Sequence, residues 1–265
     1  MNKSGSLFRK LLSDFYMAVI LIFLYAPIIT MMVLSFNATK ARTVWGGFTL
    51  DWYRQLFESE AIMDALWTTL VVAFAAALIS TVLGTLASLA ISRMRPGARA
   101  VVMGLGNIPM LNAEIVTAIA LMLCFIAFGI SLGFQTVLIS HVTFCLPFVI
   151  LSVMPKLKQT DRYAYEAAQD LGATPACAFF KVVLPDIMPG VISGFLLAFT
   201  MSLDDFIITH FTKGAGFNTL STLIYSEVRR GVRPSLYALS TIIFLAVLIL
   251  LLIVNFHPAG RRREE

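Results

Sequence analysis

Residues 160–185 read TDRYAYEAAQDLGATPACAFFKVVLP, a segment coded for helices that stands between two apolar runs, 131–154 and 187–211. Thr160 or Asp161 can cap a helix start, because a side-chain oxygen there accepts from backbone N–H groups that the first turn leaves without partners. Tyr163 to Leu171 then holds good helix formers. Gly172 stands where a helix closes on a left-handed residue. Thr174 and Pro175 restart the chain, threonine as cap and proline at the first helical position, where its missing N–H has no intrahelical partner to lose. The expected unit is a helix, a tight turn and a second helix leading through Pro185 into the next apolar run. On the first helix Ala164, Ala167, Ala168 and Leu171 form one shallow face flanked by Glu166 and Asp170, a shape suited to a partner's groove. A plain connector would carry the same caps and alanines, so the residue pattern alone leaves both readings open.

The flanks decide the fold class. The 265-residue chain is 58% hydrophobic and 13% charged, with mean hydropathy +0.85; a soluble domain uses about 25% charged residues. Most of its surface must therefore meet lipid, which excludes a soluble enzyme, a disordered hub and a disulfide scaffold. A bilayer core of about 30 Å takes about 20 apolar helical residues, and six stretches qualify: 15–36, 65–92, 101–130, 131–154, 187–211 and 235–256. The expectation is an all-α integral membrane protein of six transmembrane helices over 15–256, with the inner loop 156–186 between the fourth and fifth spans. Segment 1–14 and the basic tail 257–265 flank this domain. Pro109 and Asn112 interrupt the third span, and the short stretch from Gly129 to Gly133 makes the third and fourth spans antiparallel neighbours.

Net charge +5 and a pI near 9.2 would suit nucleic acid in a soluble protein, but in a membrane protein basic residues report topology. With the N-terminus inside, thirteen Lys and Arg fall in inner segments: Lys3, Arg9, Lys10, Arg93, Arg95, Arg99, Lys156, Lys158, Arg162, Lys181, Arg261, Arg262 and Arg263. Seven fall outside: Lys40, Arg42, Arg54, Lys213, Arg229, Arg230 and Arg233. Both termini are thus expected in the cytoplasm, although Arg229, Arg230 and Arg233 run against the rule. The first span, 22 apolar residues, exceeds the 7–15 of a cleaved signal and reads as a retained anchor. Cys124, Cys145 and Cys177 are too scattered for a disulfide framework or metal site. In the outer loop, 37–63, Trp52, Tyr53, Leu56 and Phe57 share a helical face and, with Trp45, read as interfacial anchors.

Glu166-Ala167-Ala168, three residues, Gly172, nine residues, then Val182-x-Leu184-Pro185 resembles the EAA motif of the permeases of type I ABC importers, with Val182 where isoleucine is usual. In that family the segment is the coupling helix seated in a cleft of an ATP-binding subunit. The resemblance implies that Glu166, Ala167, Ala168, Asp170, Gly172, Leu184 and Pro185 serve ATPase coupling. Consistently, no G-x-x-x-x-G-K-[ST] phosphate loop occurs: the chain is expected to be no enzyme, to hold no cofactor, and to leave ATP and magnesium to the partner ATPase. Within this fold the sequence is similar to the spermidine/putrescine permeases of the PotC and PotI kind. The matching stretches include Ser35-Phe36-Asn37, Phe48-Thr49, Trp52-Tyr53, 141–145, 197–205, and Gly231-Val232-x-Pro234. One departure is Lys213-Gly214-Ala215-Gly216, where Gly-Pro is frequent. The resemblance implies a bacterial inner-membrane heterodimer with a second permease, two copies of an ABC ATPase, and a periplasmic polyamine-binding protein.

Glu114, Asp204 and Asp205 are the acids within the expected spans, with no basic residue beside them. Intramembrane acids are costly and face a cavity or a partner, so the three are candidates for a cation path. At 1.5 Å per residue Asp204 stands ~27 Å along the fifth span from Asp186, and adjacent helical residues diverge by about 100°, so the pair cannot face one path equally. Each also has a structural reading: Asp204 or Asp205 pairing with Arg229, Arg230 or Arg233, or capping a kink; Glu114 bonding the broken backbone. His141 and His210 lack metal-like spacing and read as satisfied packing residues. Other cargo on the same fold (another amine, iron, an opine or phosphate) is the alternative. An intramembrane hydrolase lacks H-E-x-x-H and opposed aspartates, and a passive channel leaves the EAA segment unexplained.

Overall fold

The computed structural model describes residues 3–39, 44–160, 162–230 and 233–256. Expectations resting on Lys40, Arg42, Asp161, Gly231, Val232 and the tail with Arg261, Arg262 and Arg263 lie outside the described residues, as do those on the side chains of Lys3, Arg9, Lys10 and Arg162. In chain order the helices are α1 (Lys3–Leu34), α2 (Asp51–Glu58), α3 (Glu60–Ser92), α4 (Pro96–Leu111), α5 (Glu114–Ala127), α6 (Phe134–Gln159), α7 (Arg162–Asp170), α8 (Pro175–Ala178), α9 (Leu184–Asp204), α10 (Ile207–Thr212), α11 (Leu220–Arg230) and α12 (Pro234–Phe256). A π-helical turn, Phe179–Val183, joins α8 to α9. Among the described residues the only extended pairing is an isolated antiparallel bridge between Asn37 and Phe48.

By length and composition four helical segments can cross a membrane: Ser13–Leu34, Glu60–Ser92, Phe134–Gln159 and Pro175–Asp204. α4 and α5 meet at 103° across the Asn112–Ala113 break and make a fifth if the pair is one span. The helices outrun the expected spans. α3 begins at Glu60 and so takes in the end of the expected outer loop. Helix α6 continues to Gln159, placing Lys156 and Lys158 in its last turn, where cations meet the negative end of the helix dipole. The fifth run, expected to 211, breaks at Asp204 and restarts as α10.

Two compact units partition the chain: Met1–Met63 with Ile224–Glu265, and Asp64–Leu223. In the first, α1 and α2 pack on α12. Asn37, 1% exposed, organises the loop between α1 and α2: its Nδ2 donates to Val44 O at 2.8 Å and its Oδ1 accepts from Gly46 N–H at 2.8 Å. Thr49 N–H bonds to Phe36 O at 2.9 Å, and Phe48 stacks on Phe36 at 5.3 Å. Here the face expected to anchor at the bilayer interface divides. Trp52 and Leu56 are buried, the Trp52 indole donating to Asn37 O at 2.7 Å, and the Tyr53 hydroxyl lies 2.7 Å from Ser35 Oγ. Only Phe57 stays exposed, with Trp45 and Phe48. Trp52 is an internal strut because its N–H finds a buried carbonyl, which satisfies a polar group that lipid could not.

In the second unit α6 and α9 form the principal pair. Gly190, Gly194, Ala198 and Ser202 recur every fourth residue on α9 and are all buried. A Cβ at Gly190 would stand 3.0 Å from Ser152 O, and one at Gly194 3.3 Å from Val149 Cγ1. Small residues at this spacing let helix backbones approach closely where no hydrophobic effect drives helices together. The same Val149 fills the notch at Gly84 of α3, where a Cβ would lie 2.6 Å away. Hydroxyls in these helices fold back on their own chain: Ser80 to Ala76 O, Ser88 to Gly84 O and Ser140 to Thr136 O, each within 2.7 Å. Polar residues are thereby accommodated without exposing donors to lipid.

Candidate functional site: a glycine-closed helical turn and an acidic helix break

At one end of the second unit, α7 closes on Gly172, whose φ of +90° only glycine adopts without strain. Gly172 N–H bonds to Gln169 O at 2.9 Å and Ala173 N–H to Ala168 O at 3.0 Å, the paired bonds of a Schellman closure. Thr174 Oγ1 then accepts from Cys177 N–H at 3.3 Å, with Pro175 at the first position of α8. At the start of α7 the expectation needs correction for Thr160: it ends α6, its hydroxyl donating to Lys156 O at 3.2 Å.

Helix α7 presents Tyr163, Ala164, Glu166, Ala167, Asp170 and Leu171 outward, Leu171 being 90% exposed, while Ala168 is half-buried. Its inner anchor is Tyr165, packed on the core, whose hydroxyl accepts from Gln169 Nε2 at 3.2 Å. The Arg93 guanidinium lies over the Tyr165 ring, 5.9 Å from its centre. Arg99 donates to the Ile91, Ser92 and Met94 carbonyls and caps the end of α3. Leu184 is half-buried against the core, and Pro185 is exposed. The π turn, with Leu184 N–H bonded to Phe179 O, stands just before Pro185, which has no N–H to continue the regular ladder. Sequence reading missed this turn; Leu184-Pro185 within a helical pattern was its signal.

The acids separate. Glu114 is exposed at the first position of α5, directly after the break. Asp204 is exposed at the last position of α9. Asp205, extended at φ −59° and ψ 129°, has a side chain only 4% exposed. Its Oδ1 accepts from Ile208 N–H at 3.2 Å; its Oδ2 accepts from Thr209 N–H at 2.8 Å and Thr209 Oγ1 at 2.9 Å. Asp205 therefore caps α10. Behind it lies His141, 2% exposed: Nδ1 is 2.6 Å from Ser202 Oγ, and Nε2 is 2.8 Å from Thr209 Oγ1 and 3.3 Å from Asp205 Oδ2. His210 instead stacks on Phe206 at 5.2 Å.

Two of the basic residues expected outside have partners within their own unit. Arg233 Nε lies 2.8 Å from Glu227 Oε2, and Arg229 sits over the Tyr225 ring at 5.7 Å. After α10, Lys213 Nζ donates to Asn218 Oδ1 at 2.6 Å, and partial burial lowers its amine below the ordinary lysine range. Gly214 touches the turn before α6, with room for no Cβ: Leu132 O would lie 2.1 Å from it. Among the described residues no group of three or more His, Cys, Asp or Glu could hold a metal ion.

Comparison with known proteins adds the following. Residues 80–258 match the family model described as binding-protein-dependent transport system inner membrane component. The chain is 38% identical over 245 residues to the spermidine/putrescine transport system permease protein PotC of Haemophilus influenzae, covering 92% of this chain and 95% of that protein. It is 40% identical over 233 residues to the putrescine transport system permease protein PotI of Escherichia coli, covering 85% and 83%. Among solved structures, a chain of a bacterial ABC transporter involved in the import of the acidic polysaccharide alginate superposes with a TM-score of 0.72 at 14% identity, covering 97% of this chain and 99% of that one. At that identity the likeness concerns the fold alone.

Proposed function

The chain belongs to the family of binding-protein-dependent transport system inner membrane components, and on that premise we propose that it imports polyamines, spermidine or putrescine, as one of two distinct permeases of an ATP-driven transporter. As a family member it is a multi-pass membrane transport subunit, and ATP hydrolysis belongs to a separate subunit. The observation that carries the cargo is the 38–40% identity, over most of the chain, to permeases named for these amines. Fold alone could not supply it, because the alginate importer shares the architecture and takes an acidic polymer.

The proposed architecture has six spans, the α4–α5 pair counted as one and α12 as the last, with both termini in the cytoplasm. A periplasmic binding protein would deliver the amine, and two ATPase copies would receive α7 from the two permeases. Glu166, Ala167, Ala168, Asp170 and Gly172 form and close that coupling helix, and Leu184 and Pro185 lead it into the long helix. What supports coupling is continuity: the helical run Pro175–Asp204 is roughly 45 Å long at 1.5 Å per residue and joins the closure at Gly172 to the acidic break. A push on α7, passed across the Gly172 turn, would reach Asp204 along one helical run. Glu114 and Asp204 are the proposed path residues, their carboxylates favouring a cation in a cavity opened alternately to each side. Asp205 belongs to the path as support, its own carboxylate being occupied in capping α10.

Uptake of labelled putrescine and spermidine, in cells lacking this chain and after its restoration, tests the reading. Loss and rescue are expected. Unchanged uptake in cells where the chain still co-purifies with an ATPase would discard the cargo and keep the permease.

A further inference from the structure

The helix break after Asp204 is only partly written into its own segment, where Asp205 caps α10. Residues 201–211 read MSLDDFIITHF, with no glycine or proline to stop a helix. From outside, a side chain 61 residues away in sequence braces that cap. We propose that His141 is a positioning residue for cargo passage, fixing through Ser202, Thr209 and Asp205 where α9 ends and hence where the Asp204 carboxylate is offered. The inference rests on the reading of Asp204 as part of the cation path.

Proton accounting fixes the ring's role toward α10. An ionised Asp205 only accepts. The one hydroxyl proton of Thr209 goes to Asp205 Oδ2 at 2.9 Å, so the 2.8 Å contact between Thr209 Oγ1 and His141 Nε2 must be filled by the ring's Nε2–H. Asp205 Oδ2, 3.3 Å from the same nitrogen, is its second acceptor. With the ring neutral, Nδ1 accepts the Ser202 hydroxyl proton at 2.6 Å. Every donor in the cluster then has a place, which a buried polar network requires. Histidine alone meets α9 with one nitrogen and donates to α10 with the other from one rigid ring. The reach to Ser202 depends on the close α6–α9 approach at Gly190, Gly194 and Ala198. A second tie, Thr136 Oγ1 at 2.8 Å from Thr212 O, holds the far end of α10 to α6, so α10 cannot swing to straighten the break.

The test is a double-mutant cycle in the intact importer, read as putrescine uptake per membrane-inserted permease. His141→Leu should lower uptake by roughly tenfold or more, the scale of losing hydrogen bonds to a charged group. His141→Gln, which keeps an N–H near the Nε2 position, should recover most of it. Because His141 acts through Asp204, His141→Leu should add nothing to the loss caused by Asp204→Asn. Multiplying defects, wild-type uptake by His141→Leu, or equal defects for Gln and Leu would overturn the inference while leaving the path reading intact. Should His141→Leu fail to reach the membrane, the cycle is read on His141→Asn, which keeps the Ser202 contact, loses those to Thr209 and Asp205, and is expected to behave as Leu. Wild-type uptake by Asp204→Asn would instead remove Asp204 from the path, and this inference with it.

Discussion

The guanidinium of Arg93 rests on the ring of Tyr165, 5.9 Å from its centre. A residue counted for topology at the end of α3 is thus the seat of the helix proposed to meet the ATPase. A cation–π contact of this kind contributes about 1 kcal/mol, enough to bias where α7 rests without welding it. Tyr165→Ala should leave membrane levels near normal and lower transport several-fold more than ATPase activity, whereas Tyr165→Phe, which keeps the ring, should stay near wild type. Equal transport by both variants would mean the stacked contact does not serve coupling.

The closure at Gly172 makes a separate prediction. A Cβ in the left-handed region costs about 1–2 kcal/mol, so Gly172→Ala should loosen the turn between α7 and α8. Asparagine tolerates that conformation better, so Gly172→Asn should transport more than Gly172→Ala. The measurement is uptake alongside ATPase stimulation by loaded binding protein, and the reverse ranking would show that backbone strain is not what the turn contributes.

Glu166 offers a charge test of the same helix. Glu166→Lys should insert normally and fail to couple; transport and ATPase stimulation that both survive intact would remove α7 from the coupling role.

Two adjacent aspartates should fail differently. Asp205→Asn weakens the charge-assisted cap of α10 and its bond to His141, at a cost of about 2 kcal/mol, and should lower thermal stability in detergent. Asp204→Asn touches no such network and should leave stability unchanged while reducing amine uptake. Identical stability losses for the two would contradict the division of labour seen at the break.

Glycine substitutions should rank by the space around each Cβ. Gly214→Ala meets Leu132 O at 2.1 Å and Gly190→Ala meets Ser152 O at 3.0 Å, whereas Gly97 has nothing within 4 Å. Overpacking costs about 1–3 kcal/mol, so melting temperatures should fall most for Gly214→Ala, less for Gly190→Ala and little for Gly97→Ala. A flat series would mean that both close contacts relax freely.

Much of the chain was legible in one dimension. Apolar runs of bilayer length announce helices wherever they fall, and the closure at Gly172 and the cap at Thr174-Pro175 could be read because caps involve only residues a few places apart. The repeat Gly190, Gly194, Ala198, Ser202 was present to be read and went unread, since an apolar run masks its own small-residue face. Trp52 and Phe57 carried one expectation and separated, because burial depends on which neighbour the helix finds, here the Asn37 carbonyl.

By itself, then, the sequence determined a helical, membrane-spanning chain with an EAA-like turn between two of its long helices, since hydropathy and capping are local properties. Only the tertiary structure decided which of the two aspartates caps the break, that Asp205 faces inward and Asp204 outward, and that His141 joins both sides of it. A helix without a breaker yields only to partners that satisfy its freed backbone groups better than continuation would. Asp205 satisfies those of Ile208 and Thr209 from within the segment, and His141 on α6, which braces Asp205, reaches it only when the helices have packed.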